Sequence, residues 1–410
     1  MLPNSIAIFN SNDEFPRNGD QNFPFRQNSD LFYLTGIDQE KTILILFPDS
    51  PIEAYKEILF IVETNEIIAT WEGHKWTQEE AKAISGIENI YWLDRFESIL
   101  REIAVLANNI YLNSNENQRF VTEVPYKDIR FAKYIKDKYP LHKIERCAPI
   151  MHKLRVIKKP VEVEYIRTAS KITGDAFLRV LKFVKPGIKE YEIEAEVLHE
   201  FIRQGASGYS FHPIIASGKN SCVLHYIEND KICNDGDIIL LDIGAEYGNY
   251  AGDLTRCFPV NGKFSERQKQ IYNSVLSIMK KAKQILREGV TIDEYHSQVC
   301  EEVERELANL KLLSINDIKA QDKNNPLYKK YFMHGTSHFM GMDVHDIGYK
   351  QEKIKSGMVF SCEPGIYVKE EGIGIRLENT VLITTNGLVD LTENIPIEIE
   401  EIESIMNSKK

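Results

Sequence analysis

An acid stands inside one of the most apolar runs of the chain, Ile238-Ile239-Leu240-Leu241-Asp242-Ile243-Gly244. Such a run reads as a buried strand. A buried carboxylate without a partner costs several kcal/mol, so a fold with this strand in its core must also supply a counter-charge. Asp253 lies on the return strand beyond the turn Tyr247-Gly248-Asn249-Tyr250. In a tight hairpin closed at Tyr247/Gly248 the two acids become cross-strand neighbours on one face. Opposed carboxylates repel, and a bound cation removes that cost. The competing reading, a pair of exposed hairpin acids, is disfavoured by the apolar strand around Asp242.

Two further acids sit in similar settings. Glu363 ends the apolar run 358–362 and precedes Pro364-Gly365, and Glu378 closes Ile373-Gly374-Ile375-Arg376-Leu377-Glu378. Arg376 and Glu378 are two apart, so on one strand they leave the same face. A guanidinium then stands beside a carboxylate as support or substrate clamp, unless the two form an ordinary surface ion pair. The stretch 334–346 adds His334, His338 and His345, interleaved with glycines. Histidine is the commonest metal ligand among side chains, although a solvated loop or hydrogen-bonded core histidines would also account for the run. Four carboxylates and one or more histidines without a thiolate make a hard donor set. It suits Mn²⁺, Co²⁺, Zn²⁺ or Fe²⁺ and is large enough to bridge two ions. Two ions about 3.5–4 Å apart can hold a hydroxide as nucleophile and polarise a carbonyl at neutral pH. The chemistry implied is metal-assisted hydrolysis, with phosphoesters and amides both open.

At 410 residues the chain exceeds what one ordinary core organises, so two domains are expected. Hydrophobic residues at 43% and charged residues at 27% supply a globular core. A net charge of -11 argues against general binding of nucleic acid or an anionic membrane. No stretch approaches the length of a transmembrane helix. Cys147, Cys222, Cys233, Cys257, Cys300 and Cys362 are scattered without a CxxC pair, which indicates neither a zinc knuckle nor a disulfide framework. The first residues lack a basic segment followed by a long apolar run, so no signal peptide is expected and the predicted location is cytoplasmic.

Residues 1–152 read as an α/β domain, with strands over 42–47, 57–62 and 109–112 and helices over 77–84 and 96–106. It has no glycine-rich phosphate fingerprint. Residues 153–410 form the second domain. Helices over 161–184 and 191–204 precede strands over 211–217, 222–226, 238–246 and 250–260. Helices over 265–289 and 291–310, then a polar loop at 316–325, precede strands over 359–363, 366–368 and 373–384. Two helices followed by acid-bearing hairpins, twice over, predict an internal pseudo-twofold duplication with the site where the halves meet.

These residues resemble the pita-bread metallopeptidases, and most closely the bacterial Xaa-Pro aminopeptidases (aminopeptidase P). In the first domain Arg26-Gln27-Asn28-Ser29-Asp30-Leu31-Phe32-Tyr33-Leu34-Thr35-Gly36 is similar to the family's RQNSD-aromatic-YxTG signature. The run Ser217-Gly218-Lys219-Asn220-Ser221-Cys222-Val223-Leu224-His225-Tyr226 follows in family order, as do the Asp242 and Asp253 strands, 334–346, Glu363-Pro364-Gly365 and Arg376-Leu377-Glu378-Asn379. The resemblance implies an α/β N-terminal domain followed by an α+β pita-bread catalytic domain. It implies two divalent ions, Mn²⁺ foremost with Co²⁺, Zn²⁺ or Fe²⁺ as options, held by Asp242, Asp253, His338, Glu363 and Glu378. Asp253 and Glu378 would bridge both ions, and Glu363 would also take the proton of the bridging water. His225, His334, His345 and Arg376 would position substrate and stabilise the developing oxyanion.

The activity implied is release of the N-terminal residue from peptides with proline second. A prolidase confined to Xaa-Pro dipeptides has nearly the same ligands, and a catalytically silent peptide-binding module would lack some of them. The expected partners are such peptides and further copies of the chain, as a dimer or tetramer. Trp71, in Trp71-Glu72-Gly73-His74, lies in a segment similar to one that reaches a neighbouring subunit's active site in oligomeric relatives.

Overall fold

The β-branched and leucine-rich runs of the N-terminal third supply strands buried on both faces. In the computed structural model, which describes residues 1–408, they assemble into a six-stranded mixed sheet. Its spatial order is Ile90–Trp92, Glu57–Ile61, Ile43–Leu46, Ser5–Asn10, Asn109–Leu112, Lys143–Arg146. Ser5–Asn10, Asn109–Leu112 and Lys143–Arg146 run parallel, while Ile43–Leu46 pairs antiparallel with both its neighbours. Alternate residues feed opposite cores: Ile6, Ile8 and Phe60 meet Phe96 and Ile135 on one side, and Ala7, Phe9 and Leu59 meet Leu31 and Met151 on the other. The helix Gln78–Ser85 starts in a capping box between Thr77 and Glu80 and stops at left-handed Gly86. This unit extends over Met1–Leu154, and a second unit begins at Arg155.

In the second unit the long helices Pro160–Phe183 and Glu190–Arg203 bury Ile166, Phe177, Ile193 and Phe201 at helical spacing. Strands Ile214–Ser217, Ile238–Ile243 and Leu254–Pro259 follow as one antiparallel sheet. Gly208–Tyr209, Ala245–Tyr247 and Tyr250–Ala251 form a second small sheet. The order then recurs. Helices Glu266–Ile285 and Ile292–Asn309 lead to Val359–Cys362, Gly365–Val368, Ile373–Arg376, Asn379–Thr384 and Gly387–Asp390, again divided between two sheets. One contiguous apolar core joins both repeats.

Three expectations need correction. Residues 222–226 are not a strand: Gly218–Cys222 forms a 3-10 turn, and the chain continues irregularly to Tyr226. There the Ser221 hydroxyl takes the Gly374 N–H and donates to the Gly218 carbonyl, satisfying the backbone without a ladder. The polar stretch at 316–325 is not all loop, because Ser314 caps a short helix, Ile315–Ala320. The long strands expected over 238–246, 250–260 and 373–384 are each interrupted, at Gly244, at Gly252-Asp253 and at Leu377-Glu378.

Candidate metal centre

Those interruptions build the site. The turn between the acid-bearing strands is Gly248-Asn249, both left-handed at φ 56° and 63°, with Tyr247 opposite Tyr250. The register therefore sets Asp242 opposite Thr255 rather than opposite Asp253, which corrects the cross-strand pairing expected for a turn closed at Tyr247/Gly248. Asp253 falls where the return strand passes from the small sheet to the larger one. Gly244 faces that crossing so closely that a Cβ there would stand 2.0 Å from the Gly252 carbonyl oxygen. Glu378 occupies the matching break in the other repeat, between Ile373–Arg376 and Asn379–Thr384. At these breaks the ladder gives way to side-chain and cross-repeat bonds. The Glu378 N–H donates to the Thr255 carbonyl, and the Thr380 hydroxyl donates to the Asp253 carbonyl.

The converging side chains are buried. Asp253, His338 and Glu378 each bring a ligand atom within 4.8 Å of the other two. His338 Nε2 lies 3.4 Å from Asp253 Oδ2 and 3.7 Å from Glu363 Oε1. Its Nδ1 donates to the Phe339 carbonyl at 3.1 Å, which turns Nε2 toward the carboxylates. Asp242 accepts from Arg376 Nη2 at 2.6 Å. Arg376 Nε reaches the Thr255 hydroxyl at 3.2 Å, and that hydroxyl donates to Glu378 Oε2 at 2.7 Å. Arg376 Nη1 donates to the Tyr367 hydroxyl at 2.9 Å, and Tyr367 donates to His334 Nε2 at 2.8 Å. His334 Nδ1 lies 2.8 Å from the Gly335 carbonyl, which only accepts, so the proton sits on Nδ1 and Nε2 is free to accept. His345 packs edge-on against His338 with ring centroids 4.4 Å apart. His225 is exposed, near enough for its charge to act on His334.

The electrostatics of the cluster favour a cation. Burial pushes Asp242 up to about 7 against the pull of Arg376, with Asp253 and Glu363 adding to the rise. Glu378 is driven well above the carboxylate range by burial and then by Asp253, Glu363 and Asp242. Burial opposes a charge on His338, yet the bond to Asp253 and the charges of Glu363 and Asp253 prevail and raise it. His334 is pushed down to about 3 by burial and Arg376, so it is neutral. Asp242 Oδ1 and Glu378 Oε1 are buried with no hydrogen-bond partner. Unsatisfied carboxylate oxygens are costly, and these belong to an oxygen-rich set with one imidazole and no thiolate. That arrangement fits a divalent cation.

Two contributors escaped the sequence reading, Tyr367 and Thr255. Each lies in an apolar strand where it looks like core filling, and only partners far along the chain reveal it. Their one signal is a hydroxyl in a strand that also carries or faces an acid.

Comparison with known proteins accounts for the arrangement. Residues 164–385 match metallopeptidase family M24, and residues 1–111 match the aminopeptidase P N-terminal domain. The chain is 35% identical to the Xaa-Pro aminopeptidase of Haemophilus influenzae, over 99% of this chain and 94% of that one. Among solved structures, a Bacillus anthracis protein described as an aminopeptidase P has a TM-score of 0.92 at 34% identity, covering 100% of this chain and 95% of the other. Zinc-substituted Escherichia coli aminopeptidase P, in complex with product, gives 0.87 at 31% identity, with 100% and 96% covered. The expected architecture, an α/β domain ahead of a pita-bread catalytic domain, is thereby established. The chain is a member of metallopeptidase family M24, with the aminopeptidase P type of N-terminal domain ahead of its catalytic domain.

Proposed function

We propose that this hydrolase releases the N-terminal residue from peptides with proline in second position. The cluster of carboxylates around His338, with oxygens of Asp242 and Glu378 lacking any partner, carries the metal-hydrolase reading, and the 35% identity to a Xaa-Pro aminopeptidase supports the proline preference. Asp242, Asp253, His338, Glu363 and Glu378 would hold two divalent ions, Mn²⁺ foremost. Bound ions supply Lewis acidity toward the scissile carbonyl and a nucleophile at neutral pH.

The chain's own groups divide the remaining work. Glu363 is half-buried with its carboxylate toward His338, a placement suited to accepting a proton during attack and returning it to the leaving amine. Arg376 bonds Asp242 and opposes the rise that burial imposes on it. Tyr367 and neutral His334 brace the guanidinium, so it keeps one direction. Both ring nitrogens of His334 are engaged, which makes it a brace. His225, exposed and near enough to influence His334, would meet substrate.

No helix among the described residues is long and apolar enough to cross a membrane. Six buried cysteines without disulfides favour the reducing cytoplasm. The exposed Trp71 favours a homo-oligomer, dimer or tetramer.

The test is release of arginine from Arg-Pro-Pro by the full-length chain, stripped of metal and then reloaded with Mn²⁺. Metal-dependent release, abolished by Asp253→Ala, is the expected result. Cleavage confined to Xaa-Pro dipeptides would replace this reading with a prolidase.

A further inference from the structure

His225 sits on a segment with no regular structure, running irregularly from Val223 to Lys231. Its ring is exposed and makes no hydrogen bond to another described residue, so its place depends on how the neighbouring backbone is held. The anchor is Glu190. This carboxylate is fully buried, and the Lys231 ammonium is near enough to feel its charge. It accepts four hydrogen bonds. Oε2 takes the Tyr226 hydroxyl at 2.7 Å and the Lys231 N–H at 3.0 Å. Oε1 takes the Ser217 N–H at 2.9 Å and the Asn220 amide at 3.4 Å.

Glu190 opens the helix Glu190–Arg203, where the positive end of the helix dipole favours an anion. One turn on, Glu194 accepts from Asn229 Nδ2 at 3.0 Å. Asn229, left-handed at φ 47° and buried, also bonds the Ile215 N–H and the Pro213 carbonyl. The same helix face thus grips Tyr226, Asn229 and Lys231, with Tyr226 buried directly beside the exposed His225.

We propose that Glu190 is a positioning residue for the peptidase reaction, fixing His225 toward substrate through Tyr226. The inference rests on the peptidase reading above. Burial and Glu190 both raise the Tyr226 phenol, which keeps it a donor to the carboxylate at every working pH. Loss of the Tyr226 bond frees the residue next to His225 while Ser217 and Lys231 stay tethered. The loop then remains folded but loses its aim.

The experiment is a double-mutant cycle on the Mn²⁺-loaded full chain, with Tyr226→Phe and His225→Ala alone and together, read as kcat/KM on an Xaa-Pro-Xaa tripeptide. Tyr226→Phe is expected to lower kcat/KM about 5- to 30-fold alone, as a 1–2 kcal/mol coupling implies, and less than about 2-fold in the His225→Ala background. Equal losses in both backgrounds would overturn the proposal, since a merely structural role is additive. Glu190→Gln should retain more activity than Glu190→Ala. If the Glu190 variants fail to fold, Tyr226→Phe decides alone.

A second readout does not depend on turnover. In ¹⁵N-histidine spectra the His225 ring signal, identified by its loss in His225→Ala, should shift or broaden in Tyr226→Phe with other histidines unmoved. An unchanged signal overturns the proposal. A wild-type chain inactive on the tripeptide but showing that spectral change would instead fault the peptidase reading.

Discussion

Glu378 bears the strongest opposition to ionisation in the site, from burial and from three neighbouring carboxylates, while one oxygen has only the Thr255 hydroxyl for support. Thr255→Val keeps the shape and removes that donor. Glu378 then favours its proton still more strongly, and protons compete with metal for the same oxygens. The expected result is a Mn²⁺ dissociation constant raised about 10-fold or more, with unfolding free energy lower by about 1–3 kcal/mol. Calorimetric titration and urea unfolding check the two; an unchanged affinity would remove Thr255 from the site. Asp242, pushed up to about 7, gives a pH prediction of definite sign. The folded metal-free chain holds this proton more tightly than the unfolded chain. The stabilisation is therefore complete below the ordinary carboxylate range near pH ~4 and is lost as pH rises through about 7. Glu378 acts in the same direction. The Tm of the metal-free chain should fall between pH ~5 and ~8, and Mn²⁺ added at pH ~6 should release protons, measured by calorimetry in two buffers. A flat Tm and no proton release would mean the cluster is ionised without metal.

At the scale of elements, the breaks in the strands are what make a site out of hairpins. An unbroken ladder would set Asp253 opposite Gly244. The switch between sheets at Gly252-Asp253 and at Leu377-Glu378 brings both acids to one point instead. Gly244 permits the crossing. Gly244→Ala should cost at least about 3 kcal/mol because the new methyl meets the Gly252 carbonyl and the Ser210 hydroxyl, both closer than 2.5 Å. Gly335→Ala, whose Cβ would meet nothing nearer than 3.9 Å, should change urea stability little. Similar losses for the two would deny Gly244 its special place. These breaks also mark the limit of the sequence. Helix starts such as Thr77 with Glu80, and the apolar spacing of Pro160–Phe183, are local patterns and were legible within a residue or two. The acids stood out because each interrupts or ends an apolar run. Register was not legible, because it turns on two adjacent left-handed residues, Gly248 and Asn249. A one-residue change in turn centre moves the pairing by two. Tyr367 and Thr255 were hidden for a related reason: their partners lie in other strands, and nothing adjacent announces them.

At the scale of the whole molecule, the helix Glu66–Glu72 presents a separate problem. It is seven residues long, well capped by Asn65, and has no buried residue at all. Isolated helices this short are marginal in water, so a surface to pack on would stabilise it. Trp71 is 85% exposed and Ile67 72%, one turn apart on the same side. Two large apolar groups aligned on an otherwise unburied helix favour a partner chain covering them. With a second copy as that partner, the wild-type chain should run as a dimer or tetramer in size-exclusion chromatography with light scattering. Trp71→Ala should then shift the population toward monomer. An indole that also reaches a neighbouring active site would raise KM for the tripeptide several-fold on replacement while kcat changes less, because the lost contact serves binding in ground and transition states alike. A smaller oligomer with unchanged KM would leave Trp71 an interface residue only, and no change in either would show that the helix stands alone.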